Sequence, residues 1–161
     1  MRVAALLVVL LAGCSPGGPN RQADAGTTLE EAAIARGVVR DPASTAITGL
    51  YAREGDRLCL VEQDSSARVG MFIDYGDGIG CSARGTAERA GDRLAIDLGQ
   101  RCRFDAGFDG DRIRFPGALP GSCARLCTRR ASLAGLALDR LSESRSEAQA
   151  LRDPRGTALC G

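Results

Sequence analysis

The chain has no histidine, no lysine and no tryptophan, and aromatic residues make up only 4% of it. Without histidine there is no imidazole acid–base chemistry and no imidazole metal ligation, and without lysine there is no Schiff-base nucleophile. There is no G-x-S-x-G elbow, no Ser/His or Cys/His arrangement and no C-x-x-C pair, so no nucleophile with a partner base and no zinc-finger spacing can be read. An excess of one charge is missing too. The 21 basic residues are all arginine and face 20 acidic ones, for a net charge of +1. Near neutrality with few aromatics excludes the basic face and stacking platforms of nucleic-acid binding. The all-arginine usage follows from a GC-rich genome more readily than from selection for bidentate contacts.

Long apolar runs are also scarce. The one unbroken stretch, residues 3–12, is too short to cross a bilayer as a helix. It follows the positive start Met1-Arg2 and leads into Leu11-Ala12-Gly13-Cys14, an order that reads as an export signal. That tetrapeptide resembles the lipobox of bacterial lipoproteins. The resemblance implies that residues 1–13 are removed and that the Cys14 thiol carries diacylglycerol. It also implies an acylated N-terminus held in a membrane, since two lipid signals already suffice for stable anchoring. Ser15, in place of an acidic residue, implies sorting to the outer membrane, facing the periplasm. Residues 14–26, with the sequence SPGGPNRQADAG after the cysteine, hold too little apolar surface to order themselves and read as a tether. Residues 27–161 are then one domain.

Six further cysteines, Cys59, Cys81, Cys102, Cys123, Cys127 and Cys160, form an even set in an exported chain. The periplasm is oxidising, so three disulfides are expected. Three of these cysteines fall in the strand-rich part and three after it. At least two bridges should therefore join sheet to C-terminal segment, stapling elements of modest packing area. A Cys81–Cys102 bridge fits poorly, because the expected register sets the two strands apart and out of level.

Period-two alternation between turn signatures predicts strands near 47–53, 57–62, 69–75, 79–89, 93–98, 102–108 and 112–116. The signature Gly-Asp-Arg-Leu/Ile recurs at 55, 91 and 110. Pairing Ala87 with Ile96, Ile96 with Phe104 and Phe108 with Ile113 places one apolar face consistently inward. The expected fold class is mainly β: an antiparallel up-and-down meander of about seven strands, curved or closed into a small barrel, with short flanking helices. Capping boxes at Thr28–Glu31 and Ser144–Glu147 mark two helices, the first stopping at Gly37 and the second before Pro154. Short helices are also expected at 123–129, with Cys123 and Cys127 on one face, and over the Leu133, Leu136, Leu138, Leu141 stretch.

Arg101, Arg103, Arg112 and Arg114 are expected on the outward face of two adjacent strands, a possible binding face for a carboxylate, phosphate or sugar acid. Asp105, Asp109 and Asp111 lie near enough in sequence to neutralise them. Arg125, Arg129 and Arg130 make a second small basic cluster. The acidic loops Asp74–Gly78 and Asp109–Asp111 read as hairpin turns rather than metal loops. No cofactor and no metal are expected.

Gly49-Leu50-Tyr51 resembles the G-x-W opening of lipocalins, with tyrosine in place of tryptophan. A disulfide-stapled β domain behind a lipobox is similar in plan to the envelope lysozyme-inhibitor lipoproteins, a likeness of architecture that carries no site residues. The expectation is a non-catalytic binding or inhibitor module of the cell envelope, whose partners are the bilayer and an unidentified envelope protein or small ligand. A structural or assembly scaffold and a carboxylate-dependent cell-wall hydrolase are the alternatives.

Overall fold

The computed structural model describes residues 29–161, so the leader, Cys14 and the tether lie outside the described residues. Helix α1 (29–35) belongs to a first unit and ends at Gly37, whose φ of 67° suits a residue without Cβ. The second unit, Arg40–Gly161, is a closed antiparallel barrel. Its strands are β1 (Gly49–Arg53), β2 (Asp56–Gln63), β3 (Ser66–Asp74), β4 (Gly80–Ala90), β5 (Arg93–Asp97), β6 (Arg103–Phe108), β7 (Arg112–Arg114) and β8 (Ala137–Ser142). Each pairs with the next in sequence, and β8 closes the ring on β1. The mainly-β meander expected from sequence is what the chain forms.

Closure follows from alternation. Leu58 and Leu60 on β2, Val69, Met71 and Ile73 on β3, and Leu94 and Ile96 on β5 all point inward and are buried. An eight-stranded barrel is just wide enough for such side chains to fill it. The predicted pairs Ala87 with Ile96, Ile96 with Phe104 and Phe108 with Ile113 all stand in the observed register. One turn differs by a residue. Arg53 pairs with Asp56, so the first loop is Glu54-Gly55, with Glu54 at φ 49° in the left-handed region.

Two expectations are corrected. The stretch from Leu133 to Leu141 is not helical: Leu133 and Leu136 belong to a loop, while Leu138 points into the barrel from the eighth strand. Three-residue leucine spacing across a loop–strand junction mimics a helix. Cys123 and Cys127 do not share a helical face either. A 3₁₀ helix runs only from Gly121 to Leu126, and Cys127 is extended and bridges Cys81 as a short β-pair.

Two covers complete the unit. Residues 115–136 cap the barrel end where β3 and β5 finish, contributing Phe115, Cys123, Leu133 and Leu136 to the main core. Helix α2 (Arg145–Ala150) and the C-terminal tail cover the outer face of β1–β3, forming a second small core of Val61, Ala148, Leu159 and the half-buried Leu50 and Phe72. This explains why Leu58–Val61 is a continuous apolar run, since β2 is buried on both faces. Ser144 Oγ accepts from Glu147 N, as the capping box requires.

The bridges are Cys59–Cys160, Cys81–Cys127 and Cys102–Cys123, so all three join sheet to later segment. They are nested, each enclosing the next.

Candidate binding cleft

At the end of the barrel opposite the 115–136 cap, residues 40–48 run across the opening as a strap. Two inward-facing arginines hold it. Arg140, on β8, donates to the carbonyls of Ala46 at 2.8 Å, Thr48 at 3.1 Å and Gly110 at 2.8 and 3.1 Å. Its guanidinium carbon lies 5.0 Å from the Tyr51 ring centre and 5.7 Å from that of Phe108. Carbonyl dipoles, ring faces and the Asp111 carboxylate at 3.8 Å therefore compensate a charge whose side chain is only 5% exposed. Burial pushes the Tyr51 phenol well above its ordinary pKa, keeping it a donor to the Ile47 carbonyl at 2.9 Å. Gly49 is required where β8 crosses: a Cβ there would stand 2.3 Å from the Ser142 carbonyl oxygen.

Arg89, on β4, is the second clamp. Its Nη1 donates to the Thr45 carbonyl and its Nε to that of Gly91, while its guanidinium carbon sits 5.5 Å from the Phe108 ring centre. The Phe108 ring thus has two guanidinium neighbours. Nη2 of Arg89 is buried and has no hydrogen-bond partner among the described residues, which native structures seldom leave unexplained.

The strap covers only part of the opening. Beside it lies a cleft of about 380 Å³ over the paired small residues Ala67 and Ala87 and the strap's Ile47. Its walls carry Glu62 and Asp64 from the β2–β3 hairpin, Arg89 from β4 and Arg145 from α2. The Glu62 carboxylate is positioned by Thr48, whose backbone N and Oγ1 both donate to Oε2, at 3.3 and 3.0 Å. Thr48 Oγ1 in turn accepts from Glu62 N at 3.0 Å. No ion pair among the described residues joins the four charged groups of the cleft to one another or to anything else. Acceptors and donors of opposite charge therefore line one concavity without neutralising each other by contact.

The four arginines expected to form a binding face are not brought together. Arg101 lies in the β5–β6 turn at φ 64°. Arg103 opens β6 and bonds Asp97 at 2.6 Å, Arg112 on β7 pairs with Asp139, and Arg114 pairs with Asp109 at 2.7 Å. Arg114 stands level with Gly107, which leaves Arg103 about 13 Å farther along β6. Of the expected neutralising residues, only Asp109 serves; Asp111 pairs with Arg40. Hydrogen bonds from Gly99 N and Arg103 hold the Asp97 carboxyl below its ordinary pKa. Arg125, Arg129 and Arg130 are exposed on the 115–136 cap.

The cleft itself was not singled out from sequence, although a signal was present. Glu62 shares its parity with Leu58 and Leu60, and Arg89 shares its parity with Ala87, so strict alternation turns both charges toward the barrel end. No family model, no curated protein and no solved structure matches this chain.

Proposed function

We propose that this protein is a lipid-anchored, non-catalytic binding module of a bacterial envelope, engaging its ligand in the cleft at the barrel opening. The observation that carries the reading is the set of four charged side chains around one cleft, unpaired with each other. Two are fixed from behind by hydrogen bonds, which lowers the ordering cost of binding. Supporting it, the six cysteines after Cys14 are all bridged, leaving no thiol for chemistry, and the barrel interior is filled by its own side chains, so recognition belongs at its rim. The anchor rests on the leader, where the apolar run of residues 3–12 leads directly into Leu11-Ala12-Gly13-Cys14 and its resemblance to a lipobox.

Two experiments test this. Fractionation of cells expressing the wild type and Cys14→Ala should move the protein from membrane to soluble fractions, and acyl-chain labelling should be lost; a salt-resistant membrane pool in the variant refutes the anchor. A carboxylate-dependent hydrolase is the one rival with an observation behind it, because Glu62 and Asp64 line the same cleft. Incubation of the purified lipoprotein with cell-wall glycan should give binding without turnover. Turnover abolished by Glu62→Gln, with the fold retained, replaces our reading with the hydrolase.

A further inference from the structure

Given that binding role, the arrangement of charges narrows the ligand class. A site for an anion alone gathers positive groups, and a site for a cation alone gathers carboxylates. This cleft holds two of each, from different elements: Glu62 and Asp64 from the β2–β3 hairpin, Arg89 from β4, Arg145 from α2. Glu62 spends Oε2 on Thr48, and among the described residues no donor reaches Oε1. Arg89 spends Nε and Nη1 on Gly91 and Thr45, and Nη2 has no acceptor. Both groups are therefore immobilised on one side and unmatched on the other.

We infer that the cleft binds a zwitterion of about dipeptide size, its carboxylate met by Arg145 with the charge of Arg89 nearby and its ammonium met by Glu62 and Asp64. Guanidinium forks match a carboxylate in geometry as well as charge, and paired carboxylates match an ammonium with its three donors. The volume of about 380 Å³ lies at the small end of ligand sites. Ala67 and Ala87 form a shallow floor that leaves room for a short side chain between the two charged ends.

The test uses the intact lipoprotein in detergent and three probes: alanylalanine, its N-acetyl derivative and its C-terminal amide. Calorimetry should show alanylalanine binding at least about tenfold more tightly than either blocked form. The side chains of Arg145 and Asp64 make no hydrogen bond among the described residues, so Arg145→Gln and Asp64→Asn leave the fold unaltered. Arg145→Gln should weaken alanylalanine and the acetylated form while sparing the amide. Asp64→Asn should weaken alanylalanine and the amide while sparing the acetylated form. Equal affinity for all three probes, or no binding of any, overturns the inference. If the probes fail while a neutral disaccharide binds the wild type and binds Arg145→Gln less tightly, the binding module stands and only the ligand class falls. Hydrolysis of a probe removes both.

Discussion

Removing the Cys59–Cys160 bridge, as the Cys59→Ala/Cys160→Ala variant, should cost the barrel about 4 kcal/mol. The bridge spans a sequence separation of 101 residues, but the two bridges inside it already shorten the path through the unfolded chain. With Cys81–Cys127 intact, roughly 57 residues remain to be closed, and chain entropy for a loop of that size gives about 4 kcal/mol. For a domain of this length the melting temperature should fall by about 15 °C. The loss should also be uneven. The bridge fastens the tail over Leu50, Val61 and Phe72, so the amides of α2 and residues 151–161 should exchange faster than those of β3–β6. Urea titration followed by circular dichroism gives the free energy, and hydrogen exchange gives the pattern. A midpoint within error of the wild type, at unchanged m-value, refutes the reasoning, because apolar packing alone would then be holding the tail.

Arg140→Met keeps the stem but strips donors from the carbonyls of Ala46, Thr48 and Gly110. Thermal unfolding should show a loss of about 3 kcal/mol or more, little of it recovered by Arg140→Lys, whose single ammonium cannot fork. Burial pushes the Asp153 carboxyl up, but donors from Thr157 N, Ser82 Oγ and Arg155 N outweigh it and the net pKa is lowered. Its stabilisation is therefore present above the ordinary carboxylate value of about 3.9 and lost as pH falls through the lower folded value. Asp153→Asn should accordingly be less stable than wild type at neutral pH, with the gap narrowing below about pH 4; a gap independent of pH contradicts the assignment. Gly70→Ala places a Cβ 2.7 Å from Leu159 and should destabilise by about 1–3 kcal/mol, with the C-terminal tail becoming the first site of limited proteolysis.

Seven strands were legible in the sequence because turn signals bound each of them and, β2 apart, burial of one face writes itself as alternation; β2, buried on both faces, is a continuous apolar run instead. The eighth was not. In ALDRLS the inward positions are Leu138 and Arg140, and an arginine facing inward breaks the apolar pattern that marks a strand. Partners distant in sequence make that position tolerable: the carbonyls of Ala46, Thr48 and Gly110, the Asp111 carboxylate and the rings of Tyr51 and Phe108. The sheet-to-tail pairing of cysteines was foreseeable from where they fall along the chain, whereas individual partners depend on how the cap and tail fold back. The proposed arginine face failed for a related reason. Arg103 and Arg114 do lie on adjacent strands, but the stagger of β6 against β7 separates them, and stagger is a property of barrel closure rather than of either segment. The cleft needs four elements at one end, and only the parity of Glu62 and Arg89 could be seen beforehand.

The nesting of the three bridges also sets the order in which native partners become available along the chain. A chain delivered from its N-terminus presents Cys59, Cys81 and Cys102 before any native partner has emerged. Cys123 then arrives for the most recent of them, Cys127 for the one before, and Cys160 last for the first. The newest thiol always belongs to the latest one still waiting, so each closure shortens the loop that the next must close. Cys59 bears the longest wait, because its partner lies 101 residues farther on. A chain truncated before Cys160 would leave Cys59 without its native partner.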